Sequence, residues 1–278
     1  MFIYKKLVDH LGIFVDISYD TAMSIDGSSW KDLLYKNKVL VFKDWQGLSP
    51  EQLCDFSKKF GSPWTKEMYD YTRENSVLGQ NNISYTHYNN KAYSRLSADI
   101  PWHSDIANEP NFKKYPIRML YCIGLPSHFD GNSTNISNLA KAYSELSDQE
   151  KEYFENVTFT YQSWQYPGTN IVDYSAVEVH PYTKEKFLRF NVVSKDKGWI
   201  RNGYYKNPEG KITELINKDL YALIKETADK YEYVHNWNVG DLVIFDNWAT
   251  IHKKGSGTIY EDSIGFREFI RLTIDNDF

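Results

Sequence analysis

Short segments of strand-like composition recur along the whole chain, and they constrain the fold more than any other feature of the sequence. Each is rich in β-branched and aromatic residues. The clearest segments span 38–43, 117–125, 157–164, 187–193, 241–247 and 266–274. Helical spacing is confined to fewer stretches, which span 49–61, two short helices in 138–154, and 214–231. Many strands with a few inserted helices predict a mainly β fold with helical decoration (α+β) and a double-sheet barrel or jelly-roll core.

Two of the predicted helices carry clear start signals. Ser49 suits the N-cap of the first, Pro50 its first helical position and Gln52 its capping box. In the second short helix of 138–154, Ser147 is the predicted cap and Glu150 follows three residues later. We therefore expect both helices to begin at these positions.

The bulk properties favour one globular domain spanning 1–278. The chain has no internal repeat, low-complexity tract or Pro/Gly-rich linker. A net charge of −5 and a pI near 5.8 argue against nucleic-acid and anionic-membrane partners. The start lacks signal-peptide features, and Cys54 and Cys122 are expected to be buried free thiols. We therefore expect a cytoplasmic protein of enzyme size.

The segment PWHSDIANEP contains a histidine and an aspartate two positions apart, His103 and Asp105. In an extended segment such residues point to the same face, so both can face a barrel interior. With one further histidine they would form the 2-His-1-carboxylate site of non-haem Fe(II) oxygenases. The spacing is weak evidence alone, since His128 and Asp130 share it in a segment that is predicted to be a turn.

His252 has the most informative surroundings of the downstream histidines, because it follows an apolar strand and a turn in WNVGDLVIFDNWATIHKKG. The next strand carries Arg267 and Arg271, which are four apart and share a face. An arginine near an iron site can clamp the far carboxylate of a 2-oxoacid. Of the other histidines, His180 is expected to have a structural role in a hairpin-like turn, and His235 to lie at the surface.

The ordered set of motifs resembles the taurine dioxygenase / 2,4-dichlorophenoxyacetate dioxygenase group of Fe(II)- and 2-oxoglutarate-dependent oxygenases. The matching stretches are VLVFKDWQGLSPEQLCDFSKKFG, WHSD, LPSHFDGNSTNISNLAKAYSELS, HPYTKEKFLRFN, WNVGDLVIFDNWATIH and FREFIRLTI. They cover nearly the whole chain. The resemblance implies a double-stranded β-helix fold with Fe(II) as cofactor and with 2-oxoglutarate and O₂ as cosubstrates.

The resemblance also implies residue roles. His103, Asp105 and His252 correspond to the iron ligands. Arg267 and Thr134 correspond to the pair that holds the far carboxylate of 2-oxoglutarate. Arg271 corresponds to an arginine that lies beside the substrate. In taurine dioxygenase that arginine binds the anionic group of the substrate.

The sequence departs from the family pattern in three places. Trp248 replaces the arginine that usually precedes the distal histidine, which bears on local packing or substrate choice. Arg267 follows His252 at a longer spacing than in taurine dioxygenase, so a longer loop is expected. The stretch 64–99 has no match to the taurine-binding residues, so taurine itself is not supported as the substrate.

These observations together predict an oxygenase that hydroxylates or desaturates a small anionic or zwitterionic molecule and releases succinate and CO₂. The expected substrate is amino-acid-like, or a sulfonate or carboxylate. Arg271, His87 and Trp199 are the predicted substrate-binding residues. Two alternatives remain: a zinc-dependent hydrolase, since zinc uses similar ligands, and a non-catalytic cupin-like binding protein. Homo-oligomer formation stays open.

Overall fold

Strands make up most of the regular structure in the computed structural model. It describes residues 4–63, 76–78, 84–88, 101–105, 116–131, 133–163, 172–191, 200–214, 219–260, 263–265 and 267–275. The strands are β1 (Tyr4–Val8), β2 (Leu11–Val15), β3 (Val39–Phe42), β4 (Ser62–Pro63), β5 (Ser76–Leu78), β6 (Ser84–Tyr88), β7 (Ile117–Gly124), β8 (Phe129–Gly131), β9 (Thr134–Asn138), β10 (Thr158–Ser163), β11 (Val172–Ser175), β12 (Val177–Val179), β13 (Lys186–Leu188), β14 (Ile200–Lys206), β15 (Ile212–Glu214), β16 (Glu232–His235), β17 (Leu242–Asp246), β18 (Thr250–Lys254), β19 (Gly257–Ile259) and β20 (Arg267–Asp275). The helices are α1 (Tyr19–Ser24), α2 (Gly27–Asn37), α3 (Pro50–Ser57), α4 (Leu139–Ser144), α5 (Asp148–Glu155) and α6 (Asp219–Lys230).

The predicted helix starts are confirmed. The Ser49 hydroxyl accepts a hydrogen bond from the Gln52 backbone N–H, and the Gln52 side chain accepts one from the Ser49 N–H. Ser147 and Glu150 form the same reciprocal capping box at the start of α5. These caps satisfy backbone donors that an unfinished helix turn would leave unpaired.

Three predicted elements differ from the structure at their described ends. Helix α3 ends at Ser57 and does not reach Gly61 as predicted. Strand β13 ends at Leu188, because the next residue leaves the ladder and its N–H bonds to the carbonyl of Ala176. The helix predicted over 214–231 begins within the described chain only at Asp219. Residues 212–214 instead pair antiparallel with β14, so sheet pairing overrides the helical pattern there.

A large, mostly antiparallel sheet has the strand order β1-β2-β3-β17-β7-β20-β6-β5, with β4 added alongside β20. Alternate residues of its central strands divide between two apolar clusters, as the period of two requires. The outer cluster packs the sheet on α2 and α3 and includes Leu40, Phe42, Met119, Ile244, Ile270 and Leu272 from strands and Trp30, Leu34, Leu53 and Phe56 from helices. The inner cluster includes Val39, Val41, Cys122, Val243, Phe245 and Phe269.

A second sheet, of order β16-β9-β18, faces the inner side of the large sheet. Ile136 of β9 packs into the inner apolar cluster, and the His252 ring on β18 lies 4.9 Å from the Phe245 ring. The space between the two sheets is therefore the interior of the fold, and the expected mainly β double-sheet architecture is confirmed.

Cys54 and Cys122 are both buried and unbridged, as expected. Burial raises the pKa of Cys122 to about 12, so this thiol stays protonated. Among the described residues, the helices are too short or too polar to cross a membrane.

Candidate metal centre

Backbone pairing brings His103 and His252 side by side although they are far apart in the chain. An isolated antiparallel bridge joins them, and each N–H donates to the other residue's carbonyl at 2.9 Å. Directly opposed residues of an antiparallel pair project their side chains to the same face. The two imidazole centroids accordingly lie 4.2 Å apart, with both rings facing the interior.

Asp105 completes a three-residue group. Its Oδ1 lies 3.8 Å from Nε2 of His103 and 4.0 Å from Nε2 of His252. The three ligand atoms all lie within 4.8 Å of one another, which leaves room for a single ion among them. The structure therefore brings together the three residues that the sequence nominated as ligands.

The protonation of these groups suits metal binding. His103 Nδ1 lies 2.8 Å from the carbonyl of Pro101, so the ring proton belongs on Nδ1 and the lone pair on Nε2. Burial lowers the pKa of His252 to about 3, and the neighbouring His103 adds to this shift. For Asp105, burial raises the pKa, but the charge of Arg118 and other neighbours outweighs it and holds the pKa well below its usual value. At neutral pH the site therefore offers the neutral imidazole of His252 and the carboxylate of Asp105, and the Nδ1 contact of His103 leaves its Nε2 as the ligand atom.

Sequence reasoning missed Arg118, which lies in the apolar strand β7. This residue is 1% exposed, and its Nε donates to Asp105 Oδ2 at 3.0 Å. It pairs across the sheet with Phe245 and Thr273, so it points into the interior. One sequence feature could have identified it: Arg118 is the lone charged residue in a strand that is otherwise mostly apolar.

Two buried amides, also missed, hold the ligand segment in place. Asn247 accepts from the Asp105 N–H at 3.1 Å and donates to the Asp105 carbonyl at 3.0 Å. Asn191 accepts from the Ser104 N–H at 2.6 Å, and the Ser104 hydroxyl donates to the Thr250 carbonyl at 3.3 Å. These bonds replace the ladder that residues 101–105 do not form, apart from the single bridge at His103.

The turn that leads to His252 is built around Asp246. Its Oδ1 accepts from the N–H groups of Trp248 and Ala249, and its Oδ2 lies 3.0 Å from His180 Nε2. The Nδ1 of His180 accepts from two backbone N–H groups, so the proton resides on Nε2 and donates to Asp246. His180 thus has the structural role expected of it.

Trp248, where the resemblance to the family implies an arginine, packs in the core. It is 2% exposed, stacks on the Tyr35 ring at 6.0 Å, and meets the His180 ring edge-on at 5.0 Å. Its side chain therefore contributes to local packing.

The expectation that His235 lies at the surface is wrong. It is 1% exposed, with Nε2 3.2 Å from Asp241 and Nδ1 2.9 Å from the Tyr233 hydroxyl. Its strand pairs it directly with Thr134 of β9, and this register turns the ring to the interior. Strand alternation alone could not say which face of β16 is buried.

Thr134 and Arg267, predicted to hold 2-oxoglutarate, are joined by two aromatic residues between the sheets. Thr134 Oγ1 accepts from Trp237 Nε1 at 2.9 Å, and the Trp237 ring lies 4.7 Å from that of Phe269. The guanidinium carbon of Arg267 lies 4.3 Å from the Phe269 centroid. Both predicted anchors are 6% exposed. We call these four residues the Thr134–Arg267 cluster.

The predicted substrate residues are described to different extents. Arg271 lies on β20, and its charge helps to lower the pKa values of Asp105 and His252, so it lies near the candidate metal centre. The backbone of His87 pairs with Glu268 of β20, but its side chain lies outside the described atoms. Trp199 lies outside the described residues. His128 and Asp130 are exposed and do not belong to the three-residue group. The predicted turn is wrong at Asp130, which lies in β8 and pairs with Thr258 of β19.

Two facing sheets with two histidines and one carboxylate converging between them are typical of non-haem Fe(II) oxygenases. The chain belongs to the family described as taurine catabolism dioxygenase TauD, TfdA family, whose profile matches residues 4–267. The sequence-based expectations of this family, of a dioxygenase, and of Fe(II), 2-oxoglutarate and O₂ are thereby confirmed. Membership also favours the oxygenase over the two alternatives, a zinc hydrolase and a cupin-like binding protein.

Similar proteins agree with this assignment. The chain is 23% identical over 226 residues to 3-((Z)-2-isocyanoethenyl)-1H-indole synthase of Fischerella ambigua, covering 79% of this chain and 77% of that protein. It is 26% identical over 271 residues to alpha-ketoglutarate-dependent 2,4-dichlorophenoxyacetate dioxygenase of Cupriavidus pinatubonensis, covering 88% and 87%. A crystal structure of a taurine dioxygenase from Burkholderia xenovorans superposes with a TM-score of 0.73 at 22% identity, covering 99% of this chain and 90% of that one. The last likeness concerns the fold, and it agrees with the predicted jelly-roll core.

Proposed function

We propose that His103, Asp105 and His252 bind Fe(II), and that the enzyme oxidises a small anionic or zwitterionic substrate in a 2-oxoglutarate-dependent reaction. The convergence of two imidazole nitrogens and one carboxylate oxygen within 4.8 Å carries this proposal. When bound, Fe(II) with 2-oxoglutarate and O₂ supplies the oxidising chemistry, which releases succinate and CO₂. Three protein ligands leave open positions for these reactants.

The chain's own contribution begins with protonation. The Nδ1 contact of His103 with the Pro101 carbonyl orients its lone pair inward, and the low pKa of His252 keeps that ring neutral. Asp105 contributes one oxygen and one negative charge. These groups match the borderline preference of Fe(II) for nitrogen and oxygen donors.

The Thr134–Arg267 cluster is proposed to hold the far carboxylate of 2-oxoglutarate. The Thr134 oxygen already accepts a hydrogen bond from Trp237, so its own hydroxyl proton is available to donate to a carboxylate. The guanidinium of Arg267 can donate two parallel hydrogen bonds to the same group. Trp237 and Phe269 line the intervening space with apolar surface, which limits water around the bound diacid.

Arg271 supports an anionic substrate group. It shares the inner face of β20 with Phe269, and its positive charge already acts on Asp105 and His252. We propose His87 and Trp199 as further substrate contacts, His87 because its strand pairs alongside β20. The two curated relatives favour different outcomes, since one acts on a carboxylate and the name of the other describes an ethenyl product. Hydroxylation and desaturation are therefore both within the proposal.

The first experiment is an anaerobic titration of the protein with Fe(II) and then 2-oxoglutarate, followed by the weak visible charge-transfer band of their chelate. We expect the wild-type protein to develop the band and His252→Ala to lack it. Arg267→Ala should need at least about tenfold more 2-oxoglutarate, because a charged hydrogen-bond pair is lost. Arg189→Ala removes another buried arginine, which bonds Glu178 instead, and should leave the titration unchanged. Absence of the band in the wild type would overturn the proposed metal site.

The substrate class is tested by a screen that follows succinate release with carboxylates, sulfonates, amino acids and matched uncharged analogues. We expect turnover with anionic or zwitterionic members only, and a loss of that turnover in Arg271→Gln. If uncharged compounds alone are oxidised, the anionic part of the proposal is wrong.

The proposal also includes a single domain over 1–278 in the cytoplasm, acting on a small molecule without nucleic-acid or membrane partners. The net charge of −5 supports this, as do two free thiols that suit a reducing compartment.

A further inference from the structure

Arg118 is a buried charge that the family pattern of ligands and anchors does not account for. It is among the largest fully buried side chains, and burying a guanidinium costs free energy unless a partner compensates. Its Nε donates to Oδ2 of Asp105 at 3.0 Å, whereas Oδ1 is the oxygen that lies 3.8 and 4.0 Å from Nε2 of His103 and His252. The arginine and the two histidines therefore contact different oxygens of the carboxylate.

The Arg118 contact restrains how Asp105 can bind an ion. A carboxylate can coordinate through one oxygen or through both. Here Oδ2 is occupied by the guanidinium, while the backbone of Asp105 is fixed at both its N–H and its carbonyl by Asn247. Rotation about the side chain would break the charged hydrogen bond to Arg118. Only Oδ1 is thus presented towards the two Nε2 atoms.

Coordination through one oxygen matters for the proposed reaction. Two imidazoles and one carboxylate oxygen leave three positions of an octahedral ion free. Two of these are needed for the chelating end of 2-oxoglutarate and one for O₂. A carboxylate that bound through both oxygens would leave only two of the three positions. The chelate could not shift freely to these two, because the Thr134–Arg267 cluster is proposed to fix its far carboxylate, so the second oxygen would compete with it.

We propose that Arg118 is a positioning residue that restricts Asp105 to one-oxygen coordination and so keeps three positions open, two for 2-oxoglutarate and one for O₂. This inference rests on the proposed function, since it assumes that Asp105 is a metal ligand. It separates the two binding steps: the arginine favours 2-oxoglutarate binding and is not required for Fe(II) binding.

The test compares wild-type protein, Arg118→Met and Arg118→Lys with the control Arg189→Met. Fe(II) affinity is measured by anaerobic equilibrium dialysis, and 2-oxoglutarate affinity by the visible band of the chelate. In Arg118→Met, 2-oxoglutarate affinity should fall by about tenfold, because the released Oδ2 competes with the chelate for a coordination position. Fe(II) affinity should stay the same or increase, because the released Oδ2 adds a donor and a nearby positive charge is gone. Arg189→Met should change neither affinity.

The opposite direction of the two changes separates positioning from general damage, which would weaken both affinities together. A parallel loss, or an unchanged 2-oxoglutarate affinity, would overturn the role of Arg118. If Arg118→Met does not fold, Arg118→Lys decides, because it keeps the charge but lacks the fixed Nε geometry. It should show the same divergence at about threefold, an order-of-magnitude expectation; no divergence overturns the proposal. A wild-type protein without the band would instead overturn the metal site itself.

Discussion

Asn247 holds the segment 101–105 in place through hydrogen bonds to both backbone polar groups of Asp105. It is fully buried, so its loss leaves those groups without water to replace it. We expect Asn247→Ala to lower the free energy of unfolding by about 2–3 kcal/mol, as two buried hydrogen bonds are lost. Fe(II) affinity should fall about tenfold, because Asp105 is no longer fixed in position.

Urea unfolding and Fe(II) dialysis measure the two effects. Asn156→Ala is the control, since that amide is exposed and bonds only the carbonyl of Glu152 among the contacts described. A variant at Asn247 that loses stability but keeps full Fe(II) affinity would argue that the segment is held by other contacts.

Trp248 provides a second test at the scale of one residue. If Trp248 stabilises the fold by packing against Tyr35 and His180, replacing it with the arginine that the family resemblance implies should not increase stability. We expect Trp248→Arg to reduce stability by about 3–5 kcal/mol, comparable to loss of a large core side chain, and to place a charge in the core. Trp248→Phe should cost clearly less. Thermal unfolding of the metal-free variants measures this, and equal stability of wild type and Trp248→Arg would contradict it.

At the scale of elements, α6 supports both ligand-bearing segments from the outer face of the second sheet. Asp229 of α6 accepts from Trp102 Nε1 at 2.8 Å and from Lys253 Nζ at 2.7 Å. Those two residues are the immediate neighbours of His103 and His252, and the Lys253 ammonium lies 4.3 Å from the Trp102 ring centroid. A helix that makes no ligand contact therefore fixes the two chain segments that do.

This arrangement makes a prediction about pH. Burial raises the pKa of Asp229, but hydrogen bonds from Lys225, Lys253 and Trp102 outweigh it and lower the pKa to about 2. Because the folded pKa lies below the unfolded value of 3.8, the stabilisation is present above about pH 4 and is lost as pH falls towards 2. We expect Asp229→Asn to be less stable than wild type at pH 6, with the difference shrinking between pH 4 and 2.5.

Urea unfolding of the metal-free proteins at several pH values provides the measurement. Asp55→Asn serves as the control, because that carboxylate is exposed and forms its ion pair among the described residues with Lys58. A stability difference for Asp229→Asn that stays constant down to pH 2.5 would show that the carboxylate charge does not contribute.

At the scale of the whole molecule, the metal should act as a cross-link. The proposed ligands lie on β18 and on the separate segment 101–105, and both meet the large sheet through Arg118 and Phe245. An ion that binds only the folded state stabilises it by about 3 kcal/mol at a hundredfold excess over its dissociation constant. We expect Mn(II) or Fe(II) to raise the Tm of the wild type and of His128→Ala, but not that of His252→Ala. A Tm that rises equally in all three proteins would mean that the ion binds elsewhere.

The sequence by itself determined the local features and the candidate ligands. The capping boxes of α3 and α5 follow from residues only three positions apart. The i, i+2 spacing of His103 and Asp105 indicated a common face, but hydrogen bonds from Asn191 and Asn247, and not a strand ladder, hold that segment. The division of the β3 and β17 residues between the inner and outer apolar clusters also follows from the alternation of side chains along a strand. Interactions this short-range depend on few neighbours, so they can be inferred without knowing the rest of the fold.

Tertiary structure alone decided which faces meet and which distant groups pair. Alternation states that residues of β16 share a face, but only the pairing with β9 buries His235. The same holds for Arg118, whose partner Asp105 lies on a segment with no regular pairing beyond the bridge to His252. Such contacts arise from the packing of two whole sheets against each other, so the energy that selects them is spread over many residues and no short stretch of sequence contains it.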